Sequence, residues 1–195
     1  MCLSAIDAAT DKVVLAFRLK RTDKMREFRC KECKQPLTLR HGWIVTPHFA
    51  HLPESTCALR ISGETQNHRD GKLLVIDELI RMNRGVEPIL IETEYRDPLV
   101  PRRADVAFFT EDDRQIHEIQ LSSNIPYETM DQRTRDWENH GYTVAWHFGK
   151  ACLDAQPILE WIKDRGQTGF YLNFPRQVDI ADIPPETGGA RLVPA

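Results

Sequence analysis

Nowhere in the 195 residues is there an apolar run of the ~18 residues that a membrane-spanning helix needs, and the chain does not open with the basic-then-apolar order of a secretory signal. A cytoplasmic protein is expected on those grounds. A global basic field is missing too. The formal net charge is −3, so any nucleic-acid contact has to come from local patches such as FRLKRTDKMREFRCKECK, residues 17 to 34. There is no internal repeat, and no aromatic series or recognition helix that would read a base sequence. Cysteine is sparse and odd in number, with five residues at positions 2, 30, 33, 57 and 152, which excludes complete pairing into disulfides.

The composition that remains is that of an ordinary globular chain, 41% hydrophobic and 28% charged, long enough for one core and a small appended module. Three of the cysteines fall close to histidines, and in a reducing compartment that clustering favours a metal site. Cys30-x2-Cys33 supplies two thiolates on a tight turn, and GWIVTPHFAH (42–51) supplies a returning strand. Five candidates, Cys30, Cys33, His48, His51 and Cys57, compete for four positions around a structural zinc ion. His48 and His51 are three apart, so an extended strand points them to opposite faces and one of them binds. Cys30, Cys33, His51 and Cys57 are the preferred set, with His48 as the substitute. Arg26, Arg29, Lys31, Lys34 and Arg40 around this module form a plausible docking surface for a nucleic-acid backbone.

Apolar periodicity organises the rest. KVVLAFRL (12–19) and GWIVTPHFAH predict a small β-rich module at 1–60. A helix is predicted from Gly63 to Arg84, followed by strands EPILIETEYR (87–96), RADVAFFT (103–110) and QIHEIQLS (115–122), the last two joined by EDDR. PYETMDQRTRDWENHG (126–141) predicts an exposed helix stopped by Gly141, YTVAWHFG (142–149) a further strand, and AQPILEWIKDRG (155–166) a last helix. Residues 61–174 thus form an α/β core of the αβββαβ kind. Residues 175–195, rich in Pro and Gly, are expected to be a flexible tail.

Asp105 heads one strand of the predicted hairpin and Glu118 interrupts the other. Symmetry about the turn puts Asp105 opposite residue 120 to within a residue or two, so Asp105, Glu118 and Gln120 can lie close together. Their neighbours are apolar, which makes the acids costly unless they serve a purpose, and a divalent cation relieves the repulsion between them. Glu64, His68 and Lys72 recur every four residues and project from one helix face. On the later helix, Arg133 has the geometry to clamp a phosphate, and Trp137 either stacks a base or packs on the core.

The motifs CKEC, PHFAH, GETQNH with Lys72, RRADVAF, HEIQLSS, RTRDW and GYTVAWHF occur in this order over roughly residues 1 to 163, and together they resemble the competence protein CoiA family. The Asp, hairpin, Glu-x-Gln pattern between helices also resembles the PD-(D/E)XK restriction-endonuclease-like core. The resemblance implies a Mg²⁺- or Mn²⁺-dependent deoxyribonuclease. Asp105 and Glu118 hold the metal, Glu64 or His68 completes the coordination, and Gln120 stands where the wider motif has lysine. A neutral amide only positions water through hydrogen bonds, so Lys72 is the candidate for the missing cation at the scissile phosphate, with Arg103, Arg133 and Trp137 contacting DNA. Single-stranded or branched DNA and recombination proteins are the implied partners, in competence, recombination or defence. Two rivals stand beside this reading: a DNA-binding accessory factor that has lost turnover, and an RNA-directed zinc-ribbon module.

Overall fold

The computed structural model describes residues 2–42, 46–57, 64–166 and 169–172, and the backbone of 193–194. The chain divides into two compact units, with the boundary between Asp70 and Gly71. Among the described residues there are two sheets and three α-helices.

The first unit is an antiparallel sheet of five short strands: β1 (Ser4–Asp7), β2 (Val13–Leu15), β3 (Phe28–Arg29), β4 (Pro36–Arg40) and β5 (His48–His51), in the order β2-β1-β3-β4-β5. The strand expected over 12–19 stops at Leu15, where a 3₁₀ turn, Ala16–Arg18, follows. In β4 the alternation of PLTLR buries Leu37 and Leu39 and leaves the polar positions outside. Phe28 and Phe49 meet across the core with ring centroids 4.9 Å apart. Buried Asp7 is neutralised by an ion pair with Arg26 and accepts the Ala9 N–H at 2.9 Å. Arg29 likewise pairs with Asp11 at 3.4 Å. Two cations of the expected basic patch are thus compensated inside the unit itself.

Helix α1 (Gln66–Met82) is followed by β6 (Leu90–Tyr95), β7 (Ala104–Phe109) and β8 (Arg114–Gln120), an antiparallel meander. Helix α2 (Tyr127–Glu138) then carries the chain over to β9 (Thr143–Phe148), which lies parallel to β8. Helix α3 (Gln156–Arg165) leads to β10 (Phe170–Tyr171), and β11 (Val193–Pro194) closes the sheet, ordered β11-β10-β9-β8-β7-β6. The succession α1, three strands, α2, parallel strand is the αβββαβ order anticipated from periodicity. The expected tail, 175–195, lies outside the described residues except for Val193–Pro194, whose backbone pairs with β10.

Helix α2 is less exposed than its composition implies, because Met130, Thr134 and Trp137 form one buried stripe at helical spacing against the sheet. The stop at Gly141 is real, with φ of 78°, a conformation that costs glycine nothing. Trp137, Trp146 and Trp161 fill the core between α2, α3 and β9, and the Trp146 and Trp161 rings meet edge to face at 5.9 Å. Because Trp161 is fully buried in this core, Trp161→Ala is expected to destabilise the protein by about 3–5 kcal/mol, read as a fall in the urea midpoint of unfolding.

Candidate metal site and active site

A tight turn follows β3. The Cys30 N–H donates to the Gln35 carbonyl at 2.9 Å, the Lys34 N–H donates to the Cys30 carbonyl at 3.0 Å, and Lys34 adopts a left-handed φ of 60°. This knuckle aims Cys30 and Cys33 at one point. β5 brings His51 there by pairing opposite Leu37. The loop after β5 is fastened to the knuckle, since Ser55 Oγ donates to Gln35 Oε1 at 2.8 Å and accepts the Cys57 N–H at 3.3 Å.

The result is a cluster of Cys30, Cys33, His51 and Cys57 whose ligand atoms all lie within 4.8 Å of one another. Cys30 Sγ and Cys57 Sγ are 3.8 Å apart, too far for a disulfide, and Cys33 Sγ and His51 Nε2 are 3.5 Å apart. A tetrahedral ion with bonds of about 2.3 Å to sulfur and 2.0–2.1 Å to nitrogen requires edges of about 3.8 and 3.6 Å, so the donor set fits a structural metal. His48 is outside the cluster. Its buried ring exchanges a hydrogen bond of 2.8 Å between Nδ1 and the Thr46 carbonyl, and burial holds its pKa below the ordinary histidine value. Cys2 is a buried thiol in hydrogen-bond contact with Cys30, outside the four-donor set, and Cys152 is a buried thiol of the second unit.

The predicted helical residues take two roles. In the first unit, His68 Nδ1 lies 3.4 Å from Glu64 Oε1, and Gln66 and Asp70 both bond to Thr46 Oγ1, at 2.7 and 2.5 Å. In the second unit, Lys72 is 1% exposed and its ammonium contacts two carboxylates: Glu94, in an ion pair, and Asp105, with Nζ to Oδ1 3.3 Å. The other oxygen of Asp105 accepts the backbone N–H of Ile119 at 2.9 Å, which ties the head of β7 to β8.

Val106 lies opposite His117, so the register continues to Glu118, not residue 120, across from Asp105. Glu118 is 1% exposed and is addressed from α2: Arg133 Nη2 donates to Oε2 at 2.6 Å and Trp137 Nε1–H to Oε1 at 3.2 Å. Arg133 and Trp137 are four apart, which puts both on the same helix face. Burial pushes the Glu118 carboxyl up to about 8, with the Asp105 charge acting in the same sense and Arg133 and Trp137 opposing it. Trp137 is enclosed in the core, so its ring packs rather than presenting a face to a base. Gln120 turns to the strand end, donating from Nε2 to the Ser122 carbonyl and Oγ at 2.6 and 3.0 Å.

Two features escaped the periodicity of the sequence. Glu94 sits in β6 with a left-handed φ of 55° and holds Lys72 with one oxygen and Arg103 Nε with the other, at 2.5 Å. Its only signal is an acidic residue inside LIETEY, and that signal gains meaning only once Glu94 is seen to fall between the pairs Thr93–Val106 and Tyr95–Ala104, across from Asp105. The second feature is a buried pair, His117 Nδ1 and His147 Nε2, 3.0 Å apart. Burial drives the pKa of His117 down to about 4 and that of His147 well below its ordinary value.

One unit thus carries two acids on facing strands of an αβββαβ sheet, and the other carries a Cys/His cluster. Residues 64–162 match the family model described as "Competence protein CoiA, nuclease-like domain", and residues 15–60 match "Competence protein CoiA, N-terminal domain". The chain belongs to the CoiA competence protein family. It is 27% identical over 132 residues to Competence protein CoiA of Bacillus subtilis (strain 168), covering 67% of this chain and 33% of that protein. The matched stretch thus spans about a third of the length of the relative. No solved structure matches.

The four-residue cluster implies that Cys30→Ser or Cys57→Ser lowers bound metal from about one equivalent per chain to a small fraction, while His48→Ala leaves it unchanged, by elemental analysis of the purified proteins. Glu118 gives a second expectation. Its folded pKa lies above its unfolded value, so stability falls as pH rises towards 8, by at most about 1.4 kcal/mol per unit. The depressed histidines act in the opposite sense, but only below their unfolded value of 6.5. Denaturant unfolding between pH 6.5 and 8 is therefore expected to show a decline in the unaltered protein that Glu118→Gln flattens.

Proposed function

We propose that the second unit is a PD-(D/E)XK-type nuclease core that hydrolyses DNA phosphodiester bonds with Mg²⁺ or Mn²⁺, and that the first unit is a structural zinc module. The observation that carries the reading is the pair of acids opposite one another on β7 and β8, each drawn to the site by a cation from a neighbouring helix, within a domain matched as nuclease-like. Three thiolates and an imidazole on a tetrahedron are the donor chemistry of zinc, and with four protein ligands such a site is structural.

Asp105 and Glu118 would hold the catalytic ion. Carboxylate oxygens accept more than one partner, which is the donor chemistry of a hard divalent ion. When bound, that ion supplies an acidified water and charge to offset the developing phosphorane. The chain's own residues do the rest. Ile119 N–H and Lys72 fix the orientation of Asp105, and Arg133 and Trp137 fix that of Glu118, while the Gln120 amide is engaged at Ser122. Lys72 contributes positive charge that the neutral Gln120 lacks. Single-stranded or branched DNA is the substrate class, handled in the cytoplasm with recombination proteins in competence or defence. Among the described residues no helix is long and apolar enough to cross a membrane.

A second reading has its own observation. Lys72 and Arg133 already compensate both acids, and the motif lysine is absent, which suits a DNA-binding accessory factor without turnover. Cleavage of linear, circular and branched DNA with Mg²⁺ or Mn²⁺ separates the two. The nuclease reading expects cutting that Asp105→Ala and Glu118→Ala each reduce by about 10³-fold or more, at matched metal content in the first unit. Binding without cutting by the unaltered protein establishes the accessory role.

A further inference from the structure

We infer that Glu94 is a positioning residue of this site: its carboxylate fixes the Lys72 ammonium on Asp105, and the backbone of β6 is distorted to deliver it. The catalytic half of this inference rests on the nuclease reading above; the clamp itself does not.

The distortion is visible in the strand pairing. β6 and β7 pair regularly at Thr93 with Val106 and at Tyr95 with Ala104, so Glu94 occupies the position across from Asp105. Leu90 and Tyr95 are five apart, which a regular strand sends to opposite faces, yet both pack against the same core cluster. Between them, Glu94 takes a φ of 55°. A left-handed conformation costs an L-residue about 1–2 kcal/mol, and glycine or asparagine would adopt it more cheaply. A glutamate there needs an offsetting interaction, and its side chain supplies two. One oxygen meets Lys72, and the other lies 2.5 Å from Arg103 Nε.

Lys72 explains why the clamp is needed. Its ammonium is 1% exposed on a flexible four-carbon stem, and a buried cation requires anions on more than one side to stay charged and in place. Asp105 at 3.3 Å is one, and Glu94 is the nearer one. Gln120, at the motif position that would carry lysine, is neutral. Lys72 touches Asp105, and Glu94 determines where it stands.

The test uses the 195-residue, metal-loaded chain with ¹⁵N-labelled lysine, the Lys72 signal being assigned by its loss in Lys72→Arg. Glu94→Gln removes the charge and keeps the strained backbone, whereas Glu94→Gly removes both and keeps the test usable if the first variant folds poorly. Both variants are expected to accelerate solvent exchange of the Lys72 ammonium protons at least about tenfold, and Glu94→Gly to unfold at a urea concentration no lower than Glu94→Gln. On DNA with Mn²⁺, kcat is expected to fall at least about tenfold with KM within about twofold, as lost positioning in the transition state requires. Unchanged exchange in both variants overturns the clamp. Loosened Lys72 with unchanged kcat overturns its role in catalysis. If the unaltered protein cuts nothing, the nuclease reading fails and the exchange rates still decide the clamp.

Discussion

A carboxylate inside a sheet has to be compensated by something outside that sheet, and that requirement organises the second unit. Glu118 is in β8, paired with Trp146 of β9 on one side and facing Asp105 on the other, where the β7–β8 ladder ends. Its charge can be met only from a helix lying across the strands. α2 does so with Arg133 and Trp137, one helical turn apart, while Met130, Thr134 and Trp137 seal the same surface. The rotation of α2 about its own axis is therefore set by two demands at once, an apolar stripe and a guanidinium that must reach Glu118. Buried ion pairs contribute little net stability, because desolvation consumes most of the attraction, but losing one partner costs about 3–5 kcal/mol. The pair acts as a register pin.

Asp105 obeys the same rule by a different route. It stands where the β7–β8 ladder opens, and its carboxylate takes over the Ile119 N–H. The hydrogen bond keeps β7 against β8 beyond the last backbone pairing at Val106 and leaves the second oxygen to face Lys72 on α1. The two acids are thus addressed by two different helices. A cation bound between them would draw on charge that Lys72 and Arg133 now balance, so affinity for it depends on how firmly those two side chains are held. That dependence makes Glu94, remote from motif-based reading, relevant to the chemistry.

The parts of the fold that follow from side-chain period were legible in the sequence. Leu73, Leu74, Ile76, Leu79 and Ile80 marked α1, the β6–β8 runs marked the meander, and the CxxC spacing with His51 and Cys57 marked the metal cluster. Asp105 and Glu118 were legible as acids among apolar neighbours, although the hairpin turn shifted their register by two positions. β1 and β4 were not visible, because four- and five-residue strands in a small sheet carry too little alternation. Trp137 could not be assigned from sequence, since α2 reads as polar until its stripe is set against the sheet. Glu94 was the least legible of all, because a left-handed glutamate has no sequence signal and its partners come from a helix and a neighbouring strand.

The two sites differ in what they leave available. A metal held by the Cys/His cluster would take all four donors, which come from three separate segments: the knuckle, β5 and the loop after it. Binding there links the small first sheet, whose core rests on Phe28, Phe49 and a few short side chains, and offers no open position for a reacting water. The carboxylates on β7 and β8 are the reverse case. Their oxygens accept from Ile119, Arg133 and Trp137, and a positive charge stands beside each. Chemistry on a phosphodiester needs an unsaturated site with mobile water and fixed charge, so if the chain turns over a substrate, the reaction belongs to the second unit, and the first unit's part is to hold its own fold.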